Sequence, residues 1–470
     1  MRANPEAPGE RRTMLLLFAI SASAFLLFQE GAITGSDGAS MFEVTRSIVT
    51  DGDVTVDAPG LGVPGEGGPV SKYGIGQPLV SLVPYLAVWP VARALGDRGD
   101  ALERFAVSCT IPILGALLVV AIFALGRRLG AGRRAAALVG IGSVAGTFVL
   151  PYTKEFFSEP LATLGITIAI ERALARRPGW SAAALGLAIL TRPQTVVVLP
   201  FVACVWWRSG GPAARWRTAI PLVLTGGGVV AYNIARFGEA TEFGYAAEPG
   251  FSTPLLTGAR GLLLDPSASL LLFAPVVVLL PAALTKLWRS DADAVVMLGG
   301  NLLATFVLTA LWWSWAGGWS WGPRLLIPGV VPALAALAPW IEQRRARLHA
   351  ASALLGLGLL VSLPAMLVST RAQQLDVPPP ENGPRVLRQY ELLGTTARFT
   401  ASNLSARPEG DHRRYLSLWQ VNVIGELGKA GSVIAIPGSL VLIGGAIVAG
   451  RKLREQLADQ NGIQYTDVSE

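Results

Sequence analysis

Apolar segments of roughly bilayer length recur along almost the entire chain, and short clusters of arginine and lysine separate them. Hydrophobic residues make up 51% of the 470 residues, charged residues only 15%, and the mean hydropathy is +0.48. Soluble domains do not reach such values, whereas a helix of about 20 apolar residues crosses a bilayer with its backbone polar groups hydrogen-bonded. The sequence therefore predicts an all-α, polytopic membrane protein.

The basic clusters predict how the chain is oriented, because lysine and arginine accumulate in cytoplasmic loops. If residues 75–95 crossed the bilayer, the cluster 127–134 and every later one would lie outside. We therefore expect 75–95, which contains three prolines, to lie along the outer face as a juxtamembrane helix. The outline then has about 12 transmembrane helices. They are predicted at 13–31, 104–126, 135–151, 160–176, 180–191, 194–207, 218–235, 268–287, 294–312, 324–340, 350–368 and 431–449.

This outline divides the chain into three parts. Residues 1–368 form a transmembrane core that includes a first outer loop, 30–103, with its juxtamembrane helices. Residues 369–428 form a small extracytoplasmic segment, and 429–470 form the final transmembrane helix and a cytoplasmic tail.

Charge and cysteine content exclude several kinds of partner and site. The net charge of +7 comes from loop clusters that orient a membrane protein, so we expect no nucleic-acid partner. Cys109 and Cys204 both lie in apolar segments, where neither a disulfide scaffold nor a four-ligand metal site can form.

The unusual polar and aromatic residues fall in segments predicted to face outward. Asp37 follows the first span, and Arg192 is the predicted tip of a short hairpin. The other candidates are Lys72, Tyr73, Glu155, Glu159, Arg260, Trp319, Trp321 and Arg324. Their shared side of the membrane suggests chemistry at the water–lipid boundary.

Simpler explanations stay open for the charged candidates. Asp37 could be an ordinary N-cap of the helix predicted at 39–49, and Arg192 could snorkel to the interface. Glu155 and Glu159 would repel one another on one helix face unless a cation or metal lies between them. Two solvated loop acids are the alternative.

The tryptophan-rich run has two interpretations. Residues 312–315 have the composition of a membrane aromatic belt. A belt does not need the glycines within 317–322, which permit close backbone approach. The indole faces of Trp319 and Trp321 suit sugar rings or a prenyl chain.

A boundary cavity with a carboxylate, several cations and aromatic faces suits sugar transfer from a polyprenyl-phosphate carrier. The carrier's tail needs lipid, its phosphate needs lysine or arginine, and the acceptor hydroxyl needs a base. Direct displacement at the anomeric carbon would invert its configuration. Because the leaving group is a phosphate, cations can replace a general acid.

Six motifs of this sequence resemble the GT-C superfamily of integral-membrane glycosyltransferases, most of all the protein O-mannosyltransferases and the lipid A aminoarabinose transferases. The resemblance covers about three-quarters of the chain. It rests on Asp37, Lys72–Pro78, Leu125–Gly130, Glu155–Pro160, Leu190–Pro193 and Gly318–Arg324.

The resemblance implies roles for particular residues. The acidic residue of the first outer loop, here Asp37, would act as base or metal ligand, and Glu155 would be the second acidic position. Lys72, Arg192 and Arg324 would bind the donor phosphate. The further substrate-binding candidates are Tyr73, Glu159, Arg260, Trp319 and Trp321. The family's paired acids and its His-Pro-Pro-like segment are not reproduced here, so the donor sugar does not carry over.

The expected partners are a polyprenyl-phosphate sugar donor, a cell-envelope acceptor hydroxyl (glycan, lipid or protein) and the lipid bilayer. We expect no tightly bound metal, and a loosely held Mg²⁺ or Mn²⁺ stays open. The alanine-, glycine- and arginine-rich composition is typical of a high-GC bacterium, which predicts the plasma membrane and an extracytoplasmic active site. The alternatives are a transporter or flippase of a lipid-linked substrate and an inactive GT-C-like assembly partner.

Overall fold

The computed structural model describes most of the predicted transmembrane core. The described residues are 8–209, 212–318, 320–368, 393–394, 397, 418–421, 423 and 429–458. Almost all regular structure among them is helical, as the sequence predicts, and their one sheet is the antiparallel pair of Val63–Pro64 (β1) and Pro69–Val70 (β2). The predicted segment 369–428 lies almost wholly outside the described residues.

Eighteen α-helices are described in chain order. They are α1 (Pro8–Phe28), α2 (Ser36–Thr50), α3 (Gly76–Ala94), α4 (Gly99–Ser108), α5 (Thr110–Arg128), α6 (Arg133–Ala145), α7 (Glu159–Leu174), α8 (Pro178–Thr191), α9 (Leu199–Ser209), α10 (Pro212–Phe237), α11 (Leu255–Leu264), α12 (Leu270–Phe273), α13 (Leu280–Trp288), α14 (Ala292–Leu311), α15 (Ile327–Leu334), α16 (Leu337–Ile341), α17 (Arg345–Leu367) and α18 (Lys429–Ala458). Short 3-10 turns occupy Gly96–Arg98, Leu150–Thr153, Pro193–Val198, Pro275–Leu279 and Arg324–Leu326.

The chain is a multi-pass membrane protein. Six described helical segments are long and apolar enough to cross a bilayer: Gly9–Phe28, Gly96–Arg128, Arg215–Phe237, Ala292–Leu311, Arg345–Leu367 and Ser432–Ala458. Shorter apolar helices occupy Pro178–Thr191, Leu255–Leu264, Pro275–Trp288 and Arg324–Leu334. Every segment predicted to span contains helix, and the predicted juxtamembrane segment 75–95 forms the separate helix α3.

Several predicted spans are broken rather than continuous. The predicted span 268–287 consists of α12, a 3-10 turn that begins at Pro275, and α13. The predicted span 324–340 consists of a 3-10 turn, α15 and α16, with Pro328 and Pro332 in α15. Proline lacks the N–H that continues a helix and clashes with the preceding turn, which explains why these segments are interrupted.

The buried core lies where α5, α6, α7 and α15 pack together. All eight residues of α15 are buried. Small residues permit close packing, as in α7, where a Cβ on Gly165 would lie 2.7 Å from the Ala184 carbonyl oxygen of α8.

Close backbone contacts bring four separate segments together at one end of this core. A side chain on Gly38 of α2 would lie 2.6 Å from the Phe156 carbonyl oxygen. At Gly74 and Gly76, a side chain would overlap the end of α8 around Thr191. These contacts place residue 37 close to 155–159, and residues 72–73 close to 192.

Candidate functional site

Four charged side chains form an alternating row at this end of the core. Arg324 Nη1 donates a 2.9 Å hydrogen bond to Asp37 Oδ2, and Arg324 Nε lies 3.9 Å from Glu159 Oε1. The same Glu159 oxygen lies 2.7 Å from Arg192 Nη1. Two carboxylates thus alternate with two guanidinium groups. We call Asp37, Arg324, Glu159 and Arg192 the charge row.

Asp37 lies in the first turn of α2, but it is not the N-cap. Gly35 occupies that position, and no side chain caps the helix there. The N-cap interpretation of Asp37 is therefore wrong. The carboxylate instead bonds to Arg324, far along the chain.

The surroundings of Asp37 keep it ionised. Burial acts to raise its pKa, but the charge of Arg324, hydrogen bonds from Tyr73 and Arg324, and the charge of Lys72 outweigh burial and lower the pKa. The side chain keeps 19% of its surface exposed, so a reactant can approach it. Burial raises the pKa of Tyr73, with the Asp37 charge adding to the effect, so the phenol stays a hydrogen-bond donor.

Arg192 is paired, so it does not simply snorkel to an interface. Its Nη1 approaches the fully buried Glu159, the first residue of α7, and also donates to Ser158 Oγ at 3.1 Å. With the Gln194 amide oriented so that its oxygen faces the guanidinium, that oxygen accepts from Arg192 Nη2 at 2.8 Å and from Nε at 3.0 Å. These contacts offset the cost of burying the cation.

Lys72 lies beside the charge row with a carboxylate partner that the sequence did not suggest. Its Nζ is 2.5 Å from Glu248 Oε1, and Glu248 Oε2 accepts a 2.9 Å hydrogen bond from Trp313 Nε1. The Lys72 ammonium also lies 5.1 Å from the centre of the Tyr245 ring. Burial raises the pKa of Tyr245 although Arg192 and Lys72 act against it, so this phenol remains protonated.

The sequence analysis missed Glu248 and Tyr245, since they lie in an irregular loop without a motif. Lys72 and Glu248 are 176 residues apart. Only their position between the predicted spans 218–235 and 268–287, in a loop expected to face outward, could have made them candidates.

Trp321 anchors the tryptophan-rich loop to the core shortly before Arg324, and its indole is not available to a substrate. The Trp321 backbone N–H donates to the Tyr152 hydroxyl, which donates in turn to the Trp321 carbonyl, both at 2.9 Å. The Trp321 indole is 4% exposed and packs edge-on against Phe273 at 5.2 Å. Gly322 follows with φ of +60°, a conformation that favours glycine. Trp319 lies outside the described residues.

Glu155 lies outside the charge row. It precedes α7, so it does not share a helix face with Glu159, contrary to the expectation from their spacing. Its Oε1 is 3.9 Å from Lys154 Nζ, which donates to the Val368 carbonyl at 2.9 Å. Burial lowers the pKa of Lys154. The acid that bridges two arginines is Glu159, to which the sequence analysis gave only a substrate-binding role.

Arg260 stands apart from these contacts. It is exposed on α11, whose packing contact with the tryptophan-rich loop is made by Gly261 against Trp315. The structure therefore brings together Asp37, Lys72, Tyr73, Glu159, Arg192 and Arg324 of the ten candidates.

The described residues offer no built metal site. No group of three or more histidine, cysteine, aspartate or glutamate side chains among them is arranged to hold a metal ion. Asp37 and Glu159 each already face arginine, which disfavours a divalent cation between them. This donor set does not fit Mg²⁺ or Mn²⁺.

Comparison with known proteins shows what fold this chain adopts. No family model matches it, and no curated protein sequence does. The crystal structure of apo ArnT from Cupriavidus metallidurans matches with a TM-score of 0.52 and 17% identity over 94% of this chain and 75% of that one. The structure of the same protein bound to undecaprenyl phosphate has a TM-score of 0.48 and 18% identity over 96% and 74%.

The likeness to apo ArnT shows a shared fold. ArnT is a lipid A aminoarabinose transferase of the GT-C fold. The GT-C-like, polytopic architecture predicted from the motifs is therefore confirmed.

Proposed function

We propose that this protein is an inverting glycosyltransferase that moves a sugar from a polyprenyl-phosphate donor to an acceptor hydroxyl. The observation that carries the proposal is the charge row with Lys72 beside it. The two carboxylates of the charge row and three cations lie close together at one end of an apolar bundle with the GT-C fold.

The cations provide the chemistry that a departing phosphate requires. Arg324, Arg192 and Lys72 each face a carboxylate, respectively Asp37, Glu159 and Glu248. Lys72 and Arg324 keep 28% and 17% of their side-chain surface exposed, so a phosphate can approach both. A guanidinium binds two phosphate oxygens at once, and a preorganised cation stabilises the charge that develops as the sugar leaves.

Asp37 acts as the base in this proposal. The acceptor hydroxyl gives its proton to Asp37, its oxygen bonds to the anomeric carbon, and the bond from that carbon to the phosphate oxygen breaks. The electron pair of the broken bond stays on the phosphate. Asp37 and Arg324 are coupled, because movement of Arg324 toward the phosphate removes the strongest charge that lowers the Asp37 pKa. Donor binding would thereby make Asp37 a better base.

We propose that the site faces the extracytoplasmic side of a bacterial plasma membrane. The support comes from the end of the core opposite the charge row, where Arg127 and Arg133 form ion pairs with Glu10. Arg128 pairs with Glu171 at the same end. Arginine-rich loops accumulate in the cytoplasm, which supports an extracytoplasmic position for the charge row at the opposite end.

The test is transfer of labelled sugar from a panel of polyprenyl-phosphate donors by the purified protein in lipid nanodiscs. Asp37→Asn keeps the size of the side chain and removes the base, so transfer should fall by roughly 100- to 10,000-fold. Asp97→Asn, at an exposed position in the turn before α4, is the matched control and should retain transfer.

Four outcomes would overturn parts of the proposal. Equal product from the wild type and Asp37→Asn would remove Asp37 as base. Movement of the lipid across the bilayer without transfer would favour a flippase, and absence of both would favour an inactive assembly partner. We expect transfer to continue in EDTA, and loss of activity restored by Mn²⁺ would contradict the proposal that no tightly bound metal is needed.

A further inference from the structure

Arg236, near the end of α10, is the largest fully buried side chain among the described residues, at 2% exposure. Its hydrogen-bond partners in the described part of the chain are all neutral. Burying a cation among neutral hydrogen-bond acceptors is costly, because they replace only part of its hydration. The position of these partners indicates what the buried guanidinium does.

The guanidinium connects α10 to the segment that carries Lys72. Nη1 donates to the carbonyl oxygens of Ser71 and, at 3.4 Å, of Tyr73. Nη2 donates to Asn233 Oδ1 at 2.6 Å, and the guanidinium lies 4.0 Å from the centre of the Tyr232 ring. One planar group therefore binds the two carbonyls that flank Lys72 while its own helix fixes it in place.

The same segment is tied to the helix of Asp37. Ser40 Oγ of α2 donates to Ser71 Oγ at 2.9 Å, and the Tyr73 N–H donates to Ser71 Oγ at 3.3 Å. Lys72 and Tyr73 then direct their side chains to Glu248 and Asp37. A shift of the backbone at 71–73 would move the proposed phosphate ligand and the donor of the Asp37 hydrogen bond together.

We infer that Arg236 is a positioning residue that holds Lys72 and Tyr73 in register with Asp37 and so sets both donor-phosphate binding and the state of the base. The inference rests on the proposed function for its kinetic consequences, but not for its structural one. Arginine is required because Nη1 donates to both carbonyls while Nη2 donates to Asn233, whereas lysine would have to serve all three acceptors from a single amino nitrogen.

The kinetic test compares Arg236→Met and Arg236→Lys with Arg215→Met. Arg215 lies near the other end of α10, exposed against the Trp207 ring, and provides the matched control. A misplacement of about 1 Å can cost on the order of 100-fold in rate, so Arg236→Met should lower kcat/KM by that order. We expect a higher donor KM together with a lower kcat, an intermediate effect in Arg236→Lys, and wild-type constants in Arg215→Met.

The pH profile distinguishes positioning from a loss of folded protein. The groups that act on Asp37 are Arg324, Tyr73 and Lys72, and all three lower its pKa. When Arg236 no longer holds Tyr73 and Lys72, the acidic limb of the plot of kcat/KM against pH should move to higher pH. A fall in kcat alone, with the donor KM and the limb unchanged, would overturn the inference.

Hydrogen–deuterium exchange tests the structural part without any substrate. In Arg236→Met, peptides that cover residues 66–76 should exchange faster, while peptides from α5 and α7 keep their wild-type rates. Unchanged exchange at 66–76 would overturn the inference. If the wild-type protein transfers no sugar but Arg236→Met still loosens 66–76, the proposed function fails and the positioning role stands.

Discussion

Arg324 Nη1 and Asp37 Oδ2 are joined by a 2.9 Å hydrogen bond between residues 287 positions apart. This contact links the helix after the first predicted span to the loop that precedes α15. It connects the proposed base to a proposed phosphate ligand, so the properties of each depend on the other.

Replacing Arg324 should shift the pH dependence of transfer. In the wild type the pKa of Asp37 is lowered, so the ionised base persists to low pH and the acidic limb of kcat/KM lies below the ordinary aspartate range. Arg324→Met removes a charge and a hydrogen bond while burial still raises the pKa, so the limb should move to higher pH. The measurement is kcat/KM across the acidic range. An unmoved limb would show that Arg324 does not set the state of Asp37.

The same shift predicts how Asp37 contributes to stability. Because its pKa is lower in the folded than in the unfolded state, its contribution is present above the unfolded pKa and is lost as the pH falls through the folded pKa. Arg324→Met should therefore reduce the acid dependence of Tm, and Asp97→Asn should not.

Removing Glu159 should destabilise the protein strongly. Glu159→Gln leaves Arg192 without its buried partner, and breaking such a pair costs about 3–5 kcal/mol. Thermal unfolding in detergent should show a clear fall in Tm. Glu159→Gln with Arg192→Met should lose less than the sum of the two single variants, because they share one interaction. Additive losses would mean that the pair is not coupled.

Releasing Lys72 from Glu248 should tighten donor binding. Glu248 forms an ion pair with the Lys72 ammonium that the donor phosphate is proposed to contact, so the carboxylate and the phosphate compete for Lys72. Because the pair is partly exposed, its contribution is about 0.2–1 kcal/mol, and Glu248→Gln should lower the donor KM by up to roughly five-fold. Glu239→Gln, in the exposed part of the same loop, is the control. A raised donor KM in Glu248→Gln would instead mean that Glu248 holds Lys72 in its active position.

Adding a methyl group at Gly74 should separate Lys72 from Arg192. The methyl group would overlap the carbonyl oxygens of Leu190 and Thr191, which are backbone atoms and cannot rotate away. Gly74→Ala should therefore lower kcat/KM by on the order of 100-fold. Gly67→Ala, where a Cβ meets no atom within 4 Å, should behave as wild type. Equal activity of the two variants would contradict the proposed dependence on close backbone contact.

The sequence predicted the elements better than their partners. The helix α3 was predicted from apolar segments and basic clusters, and Asp37, Lys72, Arg192 and Arg324 were predicted to share one side of the membrane but not to be in contact. The interruptions at Pro275 and between α15 and α16 were missed, because a hydropathy average does not register a lost backbone hydrogen bond.

Within the site, the sequence did not predict which acid lies between the two arginines, and it did not point to Glu248 or Arg236. The resemblance assigned the second acidic position to Glu155. In the structure, α7 begins at Glu159, and this residue faces Arg192 and Arg324. Glu248 and Arg236 drew no attention, since neither belongs to a motif. The sequence suggested that the indole of Trp321 binds a sugar ring. In the structure the indole is buried against Phe273, and that burial depends on tertiary packing.

The sequence by itself determined the class of fold, because hydrophobicity, positive charge and helix length act locally and each residue contributes almost independently. Only the tertiary structure decided which charges pair. Ion pairs depend on distances of a few ångströms between side chains hundreds of residues apart. Those distances are set by how glycine-lined backbones approach one another, and no pattern along the chain encodes them directly.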